Sequence, residues 1–555
     1  MYIFNKKSCK KIACMVILVS AILLIRPLAA TRAAFNIPQT IKVGLFYSDP
    51  SVHVNTALAS FNASAKAGLA LGFYKDNAFT SIVDYPSDKP LSVRKDAYYV
   101  NSNGSLKEYS SSASPIPDGE KTGPFHIVLG AGYPDLNAMN EQLRVYTEKG
   151  IQAYPVFADT WQIWSGFYPD QNTAQQETAN IAAVLGEGAY EVTQPASNRI
   201  AVFDSAGKPV CMFGSDTALF RILPAQGNDP QVLSINDKAY RGALEVRRLS
   251  GSDMTVINVV GLQEYLYGNI PPEIGGTSHP EALKAQALVS KMYTINNLGK
   301  HGKTGFDVCA TTHCQVYKGY SVEVKSCNDA IDQIKDKVIT YDNSLAGQIF
   351  YFASSAGRTE DSENVWGSPF PYLKSVEDKY EPVYSWTTTL RVSDIMAKIP
   401  DIGNVLGMSI LKTSAAGRVT QLAVRGDKRS DPAVYSLERC RTIFGLDSQM
   451  YTITTDADVY MASRDLTPLK TQVGGKKVLT SSGTRTITAT NNKVHVLGAG
   501  GKQKTVALVP ETYVFSGKGW GHAVGMSQEG ARSMGKAGFT YDQIITHYFL
   551  GTKIE

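Results

Sequence analysis

The chain has 555 residues, with 55 Lys or Arg against 50 Asp or Glu and a formal charge of +5, long enough for two or more packed domains. Six of the cations and none of the anions fall in residues 1–34, so the remainder carries about −1 and has no basic footprint for nucleic acid. Five cysteines lie beyond that segment, an odd number without regular spacing, which excludes a small disulfide-built fold.

At the N-terminus Lys6, Lys7, Lys10 and Lys11 precede an apolar run from Ile12 to Ile25, followed by Arg26 and a small-residue stretch from Leu28 to Ala34. Charged, apolar, then small is the order of a secretory signal. The run is short for a membrane span. Cleavage near Ala30 or Ala34 is expected, with an uncleaved membrane anchor as the alternative, so residues 1–34 are read as signal or anchor.

Residues 35–120 read as a β-rich accessory segment and linker. Ile41 to Tyr47 and Gly72-Phe73-Tyr74 alternate as strands do, and the polar run from Asn101 to Gly123 has linker composition. Residues 121–190 hold an internal repeat. Phe125 to Gly130 is strand-like and leads through Gly132-Tyr133-Pro134-Asp135 into a helical stretch, Leu136 to Thr147; Trp161 to Tyr168 leads through Pro169-Asp170 into another, Thr173 to Leu185. This β-α-β-α pattern is similar to the SPOR domain, whose family binds peptidoglycan glycan strands lacking stem peptides. The alternative is a small α/β domain whose aromatic residues form its own core.

Residues 191–555 begin with a hairpin around Ser205-Ala206-Gly207 and strands between Val232 and Val259. A helix follows. Ser278 and Glu281 have capping-box spacing, Pro280 suits the first turn and Gly299 suits the stop. Ala282, Leu283, Ala285, Ala287, Leu288, Val289, Met292, Tyr293 and Ile295 cover most of its circumference, which predicts a buried helix. Just before it, Glu273 stands alone among Asn269-Ile270-Pro271-Pro272 and Ile274-Gly275-Gly276. Desolvation raises the pKa of such a carboxylate, while a nearby helix N-terminus lowers it. A loop carboxylate held against a buried helix, with a raised value, is what a general acid needs; a solvated glutamate in a turn is the competing reading.

After the helix, Cys309, His313 and Cys314 offer three of the four ligands a tetrahedral zinc requires, with His301 or water as the fourth. A Cys309–Cys314 disulfide or two buried thiols fit the spacing equally. Helix is expected from Val322 to Ile334, then a strand, Gly347 to Phe352, and a turn, Ser354 to Asp361. Residues 455–510 read as strands with glycine turns. Gly517 to Gln528 is glycine-rich, which lets backbone approach a ligand closely, and carries His522 ahead of a helix.

Several of these stretches together resemble the SpoIID/LytB family, the stage II sporulation protein D group of cell-wall proteins. The resemblance rests on Glu264-Tyr265-Leu266, Gly268, Glu273, Glu281 to Ala287 and Tyr293, and on Tyr240-Arg241-Gly242, Thr312 to Tyr317, Thr359-Glu360-Asp361, Trp366-Gly367, Pro371-Tyr372-Leu373, Gly519 to His522 and Met526-Ser527-Gln528. It covers roughly residues 190 to 555. The resulting expectation is an α+β protein: a mixed, β-rich SpoIID-type catalytic domain built around a buried helix, plus a small βαβα SPOR-like domain.

The resemblance implies a secreted or membrane-anchored lytic transglycosylase on the extracytoplasmic face of a bacterium, acting on peptidoglycan glycan strands without stem peptides and needing no cofactor. Glu273 would be catalytic. Lys284, Tyr293, Ser354, Ser355, Thr359, Glu360 and His522 would contact glycan, Gln286 would brace the helix, and zinc beside the cysteines is known in some members. Two departures stand out: Phe352 replaces a family histidine, and Ala356 replaces the first of two glycines. The first rival is a non-catalytic glycan-binding enhancer of a cell-wall amidase. The next is a hydrolase pairing Glu273 with Glu360, Asp361 or Glu363.

Overall fold

The computed structural model describes residues 35–555 apart from 103, 113, 114, 116, 117, 187, 229, 250–252, 463, 464 and 466. The expected signal or anchor over 1–34 lies outside the described residues. Among the described residues no helix is long and apolar enough to cross a membrane.

Alternation of buried and outward side chains builds the first sheet. Ile41 and Val43 point inward from Thr40–Phe46, which pairs antiparallel with Met254–Gly261 (Ile41 opposite Val260) and parallel with Val308–Cys309. The seven-stranded order continues from Met254–Gly261 through Ala243–Arg248, Leu219–Pro224, Leu69–Lys75 and Ala78–Tyr85. Strands from the N-terminal segment thus share a sheet with strands more than two hundred residues later. Within the stretch read as linker, Tyr99–Ser102, Ser105–Glu108 and Glu120–Thr122 form a small three-stranded sheet.

A ten-stranded sheet runs from Tyr190–Val192 to Lys238–Arg241. Its first four strands belong to the repeat, which is β-α-β-β-α-β rather than the expected β-α-β-α. The additional strands are Ala153–Phe157 and Tyr190–Val192. Pro155 hides the first of these from sequence reading, since proline is disfavoured inside sheets. Here the parallel pairing with Pro209–Phe213 begins only at Val156, beyond the residue lacking an N–H. The repeated Pro-Asp turns do cap the helices: Asp135 accepts from Ala138 N–H, and Asp170 from Thr173 N–H. The repeat's aromatic residues pack inward. Trp164 and Tyr154 are buried with Phe203 and Met212 on one sheet face, and Trp161 and Tyr168 close over Ile127, Ile163 and Ile181 on the other.

Helix Pro280–Asn296 is buried along most of its length, as its all-round apolar pattern predicts. Its polar groups have partners. Lys291 Nζ donates to the Lys335 and Lys337 carbonyls, and Gln286 Nε2 donates to Ser290 Oγ at 3.0 Å. The cap differs from the expected Ser278 box. His279 Nδ1 accepts from Glu281 N–H at 3.3 Å, while Ser278 Oγ turns back to the Ile274 carbonyl. The helix ends at Asn296, short of Gly299. The later helix is Lys325–Gln333, and the strand expected from Gly347 narrows to Tyr351–Phe352. The whole is a β-rich α+β protein.

A candidate carboxylate cleft beside a cysteine–histidine cluster

Glu273 lies in the last turn of helix Leu262–Ile274, not in a loop, with Pro271 and Pro272 inside the helix. Prolines there remove backbone donors. The carbonyl that Pro272 leaves unpaired, that of Gly268, is taken by Lys318 N–H at 3.1 Å. Gly268 permits this approach, because a Cβ there would stand 2.7 Å from the Gly319 carbonyl. Asn269 Nδ2 donates to the Val316 carbonyl at 2.9 Å, and Val316 N–H donates to Glu273 Oε1 at 2.7 Å. The helix end and the 314–319 segment are therefore stitched together around the carboxylate.

Burial pushes the Glu273 carboxyl above its usual range, opposed by hydrogen bonds from Val316 N–H, the Tyr351 hydroxyl and the Gln528 amide. The polarity of this network is fixed by its far end. Gln315 Oε1 accepts from Tyr265 and Thr294 hydroxyls at 3.1 and 2.8 Å, which turns Nε2 toward Tyr351 Oη at 3.2 Å. Tyr351, receiving that proton, has its own to give to Glu273.

Glu273 lines a cleft of about 850 Å³, together with Tyr293, Lys300, Gln315, Tyr351, Phe352, Trp366, Glu438, Trp520, His522 and Gln528. Lys300 is the one Lys or Arg among the lining residues, and Glu438 the one other carboxylate. Glu438 is already engaged by Trp366 Nε1 at 3.0 Å and by Arg441. Burial of His522 pulls its pKa down to about 4, so the ring is neutral; Nδ1 accepts from Val524 N–H, leaving the proton on Nε2. Its ring lies 5.5 Å from Phe352, so an imidazole stands beside the position where the family histidine is missing.

The remaining anticipated contacts fall elsewhere. Lys284 pairs with Glu281 at 2.7 Å and is not a lining residue. Ser354, Ser355, Thr359 and Glu360 are buried and not lining. Glu381 accepts from Ser354 Oγ at 2.6 Å and from Ser355 and Ala356 N–H at 2.8 Å, while Glu360 accepts from Asn364 and Ser414. They brace the turn from behind. Asp361 accepts from Ser375 N–H and Glu363 pairs with Lys374, so neither projects into the cleft as a second carboxylate. The sequence reading passed over Gln315, Tyr351 and Gln528, although each lies in or next to a quoted motif.

One end of the cleft is formed by His313 and Cys314. His301, Cys309, His313 and Cys314 bring their donor atoms within 4.8 Å of one another. Cys314 Sγ is 3.5 Å from His301 Nε2 and 3.6 Å from His313 Nδ1; Cys309 Sγ is 3.7 Å from His313 Nδ1. Tetrahedral zinc, with its usual Zn–S and Zn–N lengths, sets N···S edges of about 3.6 Å. Both thiols are free. The Cys314 thiol holds Cys309 well below the usual thiol range and is itself pushed up by its bond to Cys309. The N-terminal segment reaches this cluster too. Asp49 Oδ2 lies 3.6 Å from His301 Nδ1, and Phe306, stacked on His301 at 4.7 Å, fits against Gly44.

Fold and site define a β-rich α+β protein organised on a buried helix, with one desolvated, unpaired carboxylate in a cleft beside a Cys₂His₂ cluster. Residues 250–341 match the family described as SpoIID, Stage II sporulation protein. An amidase enhancer of Bacillus subtilis (strain 168) is 31% identical over 294 residues, covering 52% of this chain and 40% of that protein. Stage II sporulation protein D of the same organism is 28% identical over 313 residues, covering 53% of this chain and 74% of that protein. The chain thus spans less than half the length of the amidase enhancer it matches. These matches support a relationship to the SpoIID/LytB family, centred on residues 250–341.

Proposed function

We propose that this protein is an extracytoplasmic lytic transglycosylase that cuts peptidoglycan glycan strands lacking stem peptides. The carrying observation is Glu273, a desolvated carboxyl with a raised pKa in a large cleft, with no free carboxylate opposite it. Protonated Glu273 gives its proton to the glycosidic oxygen between MurNAc and GlcNAc as the C1–O bond breaks. The resulting carboxylate takes the proton of the muramic acid 6-hydroxyl, whose oxygen bonds to C1 and closes a 1,6-anhydro ring. No water is consumed and the carboxyl returns protonated. The two-carboxylate hydrolase is disfavoured, since Glu360, Asp361 and Glu363 are engaged away from the cleft. Strands without stem peptides carry a free lactyl carboxylate on each MurNAc, which Lys300 is placed to meet.

We assign zinc to His301, Cys309, His313 and Cys314. With four protein donors its coordination is complete, so it would supply structural closure of the 309–316 segment. Glycan binding by the SPOR-like segment is not part of the proposal, because its aromatic rings are packed inward. A second reading, a non-catalytic enhancer of a cell-wall amidase, is favoured by the relative of that name and by Phe352.

Mass spectrometry of products from peptide-stripped glycan strands separates these readings. Anhydro-ended fragments made by the protein and not by Glu273→Gln support the transglycosylase. Reducing ends indicate hydrolysis, and binding without cutting by either protein leaves the enhancer.

A further inference from the structure

Trp520 is the one tryptophan among the described residues that is classed as exposed, at 52%. It is not a loose surface ring. Trp520 N–H and carbonyl pair with the Ser354 carbonyl and N–H at 2.9 and 3.0 Å, and its neighbours are tied as firmly: Gly519 N–H donates to the Tyr384 carbonyl and Gly521 N–H to the Asp447 carbonyl, each at 2.8 Å. The Ser354 turn is in turn held by Glu381. Both flanking glycines have positive φ, +76° and +105°, and a Cβ on either would press on Ser354 or Phe352. The backbone is thus rigid and packed while the indole faces outward.

The indole lies against a second aromatic ring. Tyr384, itself 38% exposed, stacks on it with centroids 5.5 Å apart and planes 29° apart, and its hydroxyl points to Asp447 Oδ2 at 3.4 Å. Trp520 also lines the Glu273 cleft. Adjacent exposed aromatic rings at the rim of a cleft are a common mark of a ligand-binding groove. Flat aromatic faces flanked by a hydroxyl and a carboxylate suit one ligand chemistry well: a pyranose ring, whose axial C–H groups stack on the π-face while equatorial hydroxyls reach the polar rim.

We propose that Trp520 and Tyr384 form a sugar-stacking subsite at the mouth of the cleft, where a pyranose of the glycan strand lies on the indole face. This subsite deepens the transglycosylase reading and rests on it for the identity of the saccharide. Its role is to hold the strand so that a glycosidic bond further along lies at Glu273.

The test is binding of a peptide-free GlcNAc–MurNAc tetrasaccharide to the purified protein, followed by tryptophan fluorescence and calorimetry, for the unaltered protein, Trp520→Ala, Trp520→Phe and Glu273→Gln. Near-ultraviolet circular dichroism checks that each variant is folded. The subsite predicts that Trp520→Ala weakens binding at least about 10-fold, the factor that ~1.4 kcal/mol supplies, that Phe retains most of the affinity, and that Glu273→Gln still binds. A folded Trp520→Ala with unchanged affinity overturns the subsite and leaves Glu273-dependent cleavage standing. Trp520-dependent binding without any cleavage supports the subsite and removes the reaction.

Discussion

Glu273 Oε1 accepts the backbone N–H of Val316 at 2.7 Å, and Val316 stands two residues after Cys314. The segment that carries the thiols therefore also fixes the carboxylate. Zinc content, thermal stability and cleavage are expected to fall together in Cys309→Ser and Cys314→Ser. Structural zinc contributes several kcal/mol, so the midpoint should drop by roughly 5–10 °C, and chelation should reproduce the loss. Metal-free protein with full stability and activity would rule the assignment out.

Replacing Glu273 with Gln should stabilise the protein near neutral pH while reducing cleavage by at least about 100-fold. Burial raises this carboxyl's pKa in the folded state. Its favourable contribution is then complete below the ordinary carboxylate range and is lost as pH rises through the raised value. Thermal melts should show the variant above the unaltered protein at pH 7, with the difference closing toward pH 4. A difference independent of pH would mean that the carboxyl is not desolvated.

Tyr351→Phe keeps the ring and removes the donor that restrains the Glu273 pKa. The carboxyl should rise further, moving the alkaline limb of the pH–rate profile upward. Gln315→Leu should act in the same direction, because it releases the Tyr351 hydroxyl from its fixed polarity. An unmoved profile in both variants would show that the network does not reach Glu273.

Ala356 sits at φ +60°, where an L-residue pays a steric cost and the family glycine would not. Ala356→Gly should therefore stabilise the protein by about 0.5–1 kcal/mol, net of the added freedom of the unfolded chain. Equilibrium urea unfolding would measure it; a destabilised variant would show that the turn is not strained.

The buried central helix was legible because its apolar residues cover nearly all sides, and the strands because burial alternates. The helical setting of Glu273 was not, because two prolines precede it and proline is disfavoured inside helices. Their effect is absorbed by Lys318 N–H, a partner that no local pattern reveals. The cap failed for a similar reason: Ser278 has a nearer acceptor at Ile274, which leaves the helix end to the His279 ring. Sequence spacing gave three cluster ligands and suggested His301, but not its support by Asp49 and Phe306. The turn residues from Ser354 to Glu360 carried the right motif in the wrong place, since Glu381 draws the turn inward.

Pairing of Thr40–Phe46 with both Met254–Gly261 and Val308–Cys309 governs the order in which the protein is built. Synthesised ahead of both partners, this strand gains its second neighbour only once more than half of the 555 residues have been made. Its edges stay open through that interval, and long-range closure of this kind is slow. Thr40–Phe46 is thus made well before it can be fully seated, and the cysteine cluster that it supports matures only with it.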